Sequence, residues 1–215
     1  MPALRPREEK FNAIMHGNGL LASLVGVTGL LVLAARYGNA WHVVSCSVYG
    51  LSMIALYLAS TVYHLAGRGR VREVLRIVDH ACIYVFIAGT YTPFTLVTLG
   101  GGWGWSLFGV VWGLAVVGVG FKVFTTGRFE LASTAVYVLM GWLAIVAIGP
   151  VLAKFPVGCL YWVFAGGITY TVGVIFYALD SRPYLHTVWH GFVLGGSACH
   201  YVAVILYVLP AAAWM

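Results

Sequence analysis

Apolar residues run along this chain in blocks of about twenty, parted by short clusters of Gly, Pro, Asn and basic residues. A helix of that length rises about 30 Å, which matches the hydrocarbon core of a bilayer. The strands of a membrane barrel would instead alternate over about ten residues. The pattern predicts seven helical spans, at about 13–35, 41–64, 78–98, 104–123, 131–150, 157–179 and 185–209. Arg36-Tyr37-Gly38-Asn39 closes the first, the basic loop Gly67-Arg68-Gly69-Arg70-Val71-Arg72 follows the second, and Gly100-Gly101-Gly102 closes the third. Thr125-Thr126-Gly127-Arg128 follows the fourth, Pro150 marks the end of the fifth, Asp180-Ser181-Arg182-Pro183 follows the sixth, and Pro210 stops the seventh. The first span is too long for the apolar core of a signal peptide and is read as retained. The expectation is an all-α integral membrane protein, a single seven-helix domain over residues 1–215 with no room for a soluble domain.

Composition supports that class. Hydrophobic residues make up 61% of the chain and charged residues 8%, with a mean hydropathy of +0.93. A soluble domain has about 45–50% and about 25% respectively. The net charge of +6 is unevenly placed. Arg5, Arg7, Lys10, Arg68, Arg70, Arg72, Arg76, Lys122, Arg128 and Arg182 flank one set of span ends, and only Arg36 and Lys154 flank the other. An excess of Lys and Arg marks cytoplasmic loops. The N-terminus is therefore expected in the cytoplasm and the C-terminus on the opposite side, inverted relative to G-protein-coupled receptors. The charge reads as membrane orientation, and no nucleic-acid partner is expected. Cys46, Cys82, Cys159 and Cys199 lie in or beside apolar runs without metal-finger spacing and read as packing residues.

Ionisable residues inside a membrane are costly and point to function. Glu9, Asn12 and His16 open span one, Ser60 and His64 close span two, Asp79 and His80 open span three, and His186 and His190 open span seven. Under the expected topology all of them fall near the cytoplasmic face. His186 and His190 stand at i and i+4, on one helical face and about 6 Å apart in rise, so they can chelate one ion. With His64 they make three imidazoles, the usual protein ligand set of a catalytic zinc with one open position. Calcium would need more carboxylates than this layer offers. Asp79, the acid embedded at this depth, is placed to act as a general base, and Ser60 to orient a ligand or bind a substrate carbonyl. His80 reads as interfacial and His200, about 15 Å deeper along the last helix, as a packing histidine. His42 opens span two at the other face, out of reach. The paired glycines Gly166-Gly167 and Gly195-Gly196 read as close helix contacts.

Glu9-x-x-Asn12-x-x-x-His16, Ser60-x-x-x-His64, Asp79 and His186-x-x-x-His190 resemble the ordered motifs of the progestin and adipoQ receptor family, and within it the bacterial hemolysin III branch, from residue 7 to about 208. The resemblance implies zinc on His64, His186 and His190, with Asp79 reaching it through water, and a cytoplasmic N-terminus. Glu9, Asn12 and His16 become candidates for supporting the metal ligands. Similarity to adiponectin receptors and alkaline ceramidases implies hydrolysis of a lipid amide, whereas the hemolysin name implies a pore. The short segment before span one departs from the animal receptors and argues against a hormone receptor.

Three readings follow. The first is a zinc-dependent hydrolase acting on an amide or ester of a membrane lipid and serving membrane homeostasis, in a bacterial inner membrane. The second is a non-enzymatic sensor or regulator of membrane state with a structural zinc, for which Cys82 is the candidate fourth ligand. The third is a hemolysin-like pore or transporter, disfavoured because the opposite halves of the spans are nearly free of charge.

Overall fold

The computed structural model describes residues 6–210 and is helical throughout, with no strand among them. Seven helical spans are long and apolar enough to cross a membrane. The first is α1 (Pro6–Tyr37), followed by α2 (Ala40–Leu65), α3 (Arg70–Pro93) and α4 (Gly101–Thr125). The fifth is built from α5 (Glu130–Gly141) and α6 (Ile148–Lys154), and α7 (Val157–Ala178) and α8 (Leu185–Ala203) complete the bundle. The expected class and number of spans are correct. The basic flanks gather at one end, except that Arg5 lies outside the described residues.

Two helices start earlier than the apolar blocks suggest. α1 starts at Pro6 and α3 at Arg70, so Glu9, Arg72 and Arg76 are helical rather than loop residues. Lys122, read as a loop flank, lies inside α4 and is fully buried. The turn into α2 is capped by Asn39, whose side chain accepts from Trp41 N–H at 2.9 Å and His42 N–H at 3.3 Å. His42 completes that capping box and stays at this end, as expected.

The fifth span corrects the expectation that Pro150 ends a helix. The chain breaks earlier, in a tight turn over Leu143–Ala147, and Pro150 sits in the first turn of α6, where no intrahelical N–H bond is lost. Tyr91 of α3 makes the break tolerable. Its hydroxyl donates to Gly141 O at 2.9 Å and accepts from Ala144 N–H at 3.1 Å. Backbone groups freed at membrane depth must find such partners, because lipid offers none.

Close helix contacts require glycine at two places. A Cβ on Gly89 would lie 2.0 Å from Ser52 Oγ, where α3 crosses α2. A Cβ on Gly196 would lie 2.5 Å from the Tyr170 ring, where α8 meets α7. These approaches press α2 against α3 and α7 against α8 beneath the polar layer, beside a cavity of about 140 Å³. It runs from His16, Ser60 and Asp79 past Phe86 and Val193 to Trp142 and Thr171.

Candidate metal centre

The layer at the basic end is assembled by α1, α2, α3 and α8. His64 lies in the last turn of α2, and His186 and His190 lie in the first two turns of α8. One ligand nitrogen from each falls within 4.8 Å of the others. His64 and His190 are buried and His186 is partly so. His64 Nε2 stands 3.1 Å from His190 Nε2, close to the edge of about 3.3 Å that two nitrogens share around a tetrahedral zinc.

The surrounding bonds set which nitrogens are free. Glu9 Oε2 lies 2.8 Å from His64 Nδ1. A carboxylate only accepts, so His64 donates Nδ1–H and a neutral ring is left with an Nε2 lone pair. His190 Nδ1 bonds His16 Nε2, which turns the His190 Nε2 toward His64. When His190 donates Nδ1–H to His16, its Nε2 lone pair faces that of His64 across a gap an ion can bridge; when it accepts from His16, its Nε2–H donates to His64 instead. The donor chemistry and spacing of this triad thus fit a divalent ion such as zinc, and the outer bonds match the usual support of metal-bound imidazoles.

Asn12 accepts from Thr187 Oγ1 and joins α1 to α8 beside the cluster. Glu9, Asn12 and His16 therefore each touch the histidine layer or the helix that carries it. Asp79 and Ser60 line the cavity together with His16, His186 and His190. Ser60 Oγ and His16 Nδ1 are buried with no hydrogen-bond partner among the described residues.

The other polar positions lie outside the triad. His80 is not among the clustered ligands, as expected, and is buried among the helices. Its Nδ1–H donates to Arg76 O at 2.8 Å, and Tyr177 Oη lies 3.4 Å from its Nε2. Asp79 Oδ2 is 3.7 Å from His80 Nδ1. Cys82 packs against the apolar core and is not among the clustered ligands. His200 is a buried packing histidine as expected. It bonds Gly196 O at 2.9 Å and stacks on Tyr170, although it also borders the cavity.

Comparison with known proteins places this arrangement. Residues 4–201 match the haemolysin-III related family. The chain belongs to that family. It is 47% identical to the "Hemolysin-3 homolog" of Bacillus subtilis (strain 168), over 94% of each chain. It is 46% identical to the "Hemolysin-3" of Bacillus cereus, over 96% of this chain and 94% of that one. The human "Monocyte to macrophage differentiation factor" is 25% identical over 93% of this chain and 84% of its own. No solved structure matches. This haemolysin-III family member is a multi-pass integral membrane protein, in agreement with the family read from its motifs.

Sequence reasoning missed Arg72 in this family member. Read as an orienting charge, it bonds Glu9 Oε1 at 2.7 Å. Its helical position, seven residues before Asp79, places it two turns nearer the basic end. That spacing was the available signal.

Proposed function

We propose that this protein is a zinc-dependent hydrolase of a membrane-lipid amide or ester, acting at the cytoplasmic side of a bacterial inner membrane and contributing to membrane homeostasis. One observation carries the reading: an apolar cavity ends on a layer that gathers three clustered imidazoles, Asp79 and the unpartnered Ser60 hydroxyl. That combination suits a substrate with a long apolar part and one reactive polar link.

His64, His186 and His190 would hold the ion. When bound, zinc supplies Lewis acidity toward a carbonyl and makes water acidic enough to attack near neutral pH. The chain's own groups do the rest. Asp79 accepts the proton that the attacking water loses as its oxygen adds to the carbonyl carbon, and passes that proton to the departing nitrogen or oxygen. Ser60 donates its hydroxyl hydrogen to the carbonyl oxygen as charge develops there. The apolar walls, such as Phe86 and Val193, exclude bulk water from the reacting link.

The test combines metal content with turnover. About one zinc per chain is expected in the purified protein, lost in the His186→Ala/His190→Ala variant. Asp79→Asn is expected to retain the zinc and lose hydrolysis of a lipid amide or ester. Full activity in Asp79→Asn would remove the base role, and a well-folded, metal-free wild type prepared without chelators would remove the zinc reading.

A second reading has its own support. His64–Glu9, His190–His16 and Thr187–Asn12 tie α1, α2 and α8 together around the cluster. A zinc there would serve structure in a non-enzymatic sensor or regulator of membrane state. That reading expects zinc removal to loosen the bundle without any lipid product being found for the loaded protein.

A further inference from the structure

Arg72 stands at the start of α3 with both terminal nitrogens of its guanidinium engaged. Nη1 donates to Tyr63 O at 3.1 Å and to Ala66 O at 2.8 Å, the carbonyls that bracket His64 at the end of α2. Its carbon lies 4.4 Å over the Tyr63 ring centre. Nη2 donates to Glu9 Oε1 at 2.7 Å, while the other Glu9 oxygen takes the His64 Nδ1–H at 2.8 Å.

We propose that Arg72 is a positioning residue for the metal centre, acting on His64 through Glu9. The inference rests on the zinc reading above and adds a residue that touches none of the three ligands. Glu9 sits on the first turns of α1 with its side chain about one-fifth exposed (21%), so alone it is free to swing toward water. Arg72 fixes one carboxylate oxygen, which aims the other at His64. That contact sets the His64 tautomer and turns its Nε2 toward His190. The same guanidinium pins the backbone on both sides of His64, so ring and helix end are set by one side chain. Lysine is no substitute, because a point charge does not span two carbonyls and a carboxylate in fixed directions.

A purely structural role, capping the end of α2, is the competing account, and a double-mutant cycle separates the two. Zinc affinity of the full chain in detergent is measured by competition with a chelating dye for wild type, Arg72→Gln, Glu9→Ala and the double variant. Melting of each metal-free form is followed alongside. Arg72→Gln is expected to weaken zinc binding by about 10–100-fold when Glu9 is present, the usual effect of removing a ligand's support. In the Glu9→Ala background the same change is expected to matter about twofold or less, since its route to His64 is gone. Equal weakening in both backgrounds, or lower melting with unchanged affinity, would overturn the proposal and leave Arg72 as a helix cap. Arg72→Lys keeps the cation if Arg72→Gln does not fold. It is expected to weaken binding as well, and wild-type affinity in that variant would also overturn the proposal. A wild type that binds no zinc in this assay would bring down the metal reading and this inference with it, an outcome distinct from a wild type that binds while Arg72→Gln is unaffected.

Discussion

Glu130→Gln should destabilise this protein far more than Lys122→Met, although the two side chains form one ion pair. Lys122 Nζ is 2.6 Å from Glu130 Oε2, and the lysine side chain is fully enclosed, whereas the glutamate side chain is 26% exposed. Glu130 Oε1 also receives Arg76 at 3.1 Å and the Gly127 N–H at 2.8 Å. Changing Glu130 to Gln keeps shape and an acceptor for Gly127, but strands an ammonium ion in a bundle interior. Breaking a buried pair from one side costs about 3–5 kcal/mol. The partly exposed glutamate argues for the lower end, about 3 kcal/mol. Lys122→Met removes the buried charge itself and leaves Glu130 with Arg76 and Gly127, so its cost should stay below about 1 kcal/mol. For a chain of this size about 1 kcal/mol moves the melting midpoint by about 2–4 °C, so the drop should be about 6–12 °C for Glu130→Gln. Thermal unfolding in detergent, followed by tryptophan fluorescence, reads both variants, and the double variant should recover most of the loss. A Lys122→Met drop as large as that of Glu130→Gln would refute the reasoning.

Gly118→Ala should lower the melting midpoint, because its Cβ would meet Tyr84 ring atoms at 2.4–2.6 Å, an overpacking of about 1–3 kcal/mol. Gly113→Ala on the same helix meets nothing within 4 Å and should be neutral in the same assay. Pro150→Ala should leave stability within about 0.5 kcal/mol of wild type, since Pro150 removes no helical hydrogen bond where it stands; a large change would restore it as the span's terminator. Zinc added to the metal-free protein at about a thousand times its dissociation constant should stabilise it by about 4 kcal/mol, and His190→Ala should abolish that gain in thermal melts.

The seven spans were legible because about twenty apolar residues in a row leave few alternatives, and glycines and basic clusters punctuate them. The helix starts were less so. Glu9 and Arg72 are polar residues on helical backbone, and hydropathy alone does not separate such a turn from a loop. The break in the fifth span was hidden because the group that satisfies its freed backbone, the Tyr91 hydroxyl, comes from another helix. At the site the order reverses. His186 and His190 declare themselves by spacing, and His64 by depth, since depth along antiparallel spans follows from sequence. The His16–His190 contact and the Arg72–Glu9–His64 chain depend on rotation about helix axes, which spacing within one helix does not encode.

That division bears on why the polar layer exists at all. Deep in the bundle, hydroxyls such as Thr90 and Thr92 bond carbonyls of their own helix, and cross-helix bonds come from neutral groups such as Tyr57 to Ser197 and Trp142 to Thr171. Glu9, His16, His64, Arg72, Arg76, Lys122, Glu130 and His190 bond across helices with ionisable groups, all toward the basic end. Lys154, reaching Leu99 O, does so at the other end. Neutral contacts and glycine packing already join α2 to α3 and α7 to α8, so adhesion does not require an ionisable layer whose desolvation is expensive. A layer retained at that expense, facing an apolar cavity and bringing three imidazole nitrogens within 4.8 Å of one another, is what the proposed ion site would require beyond joining helices.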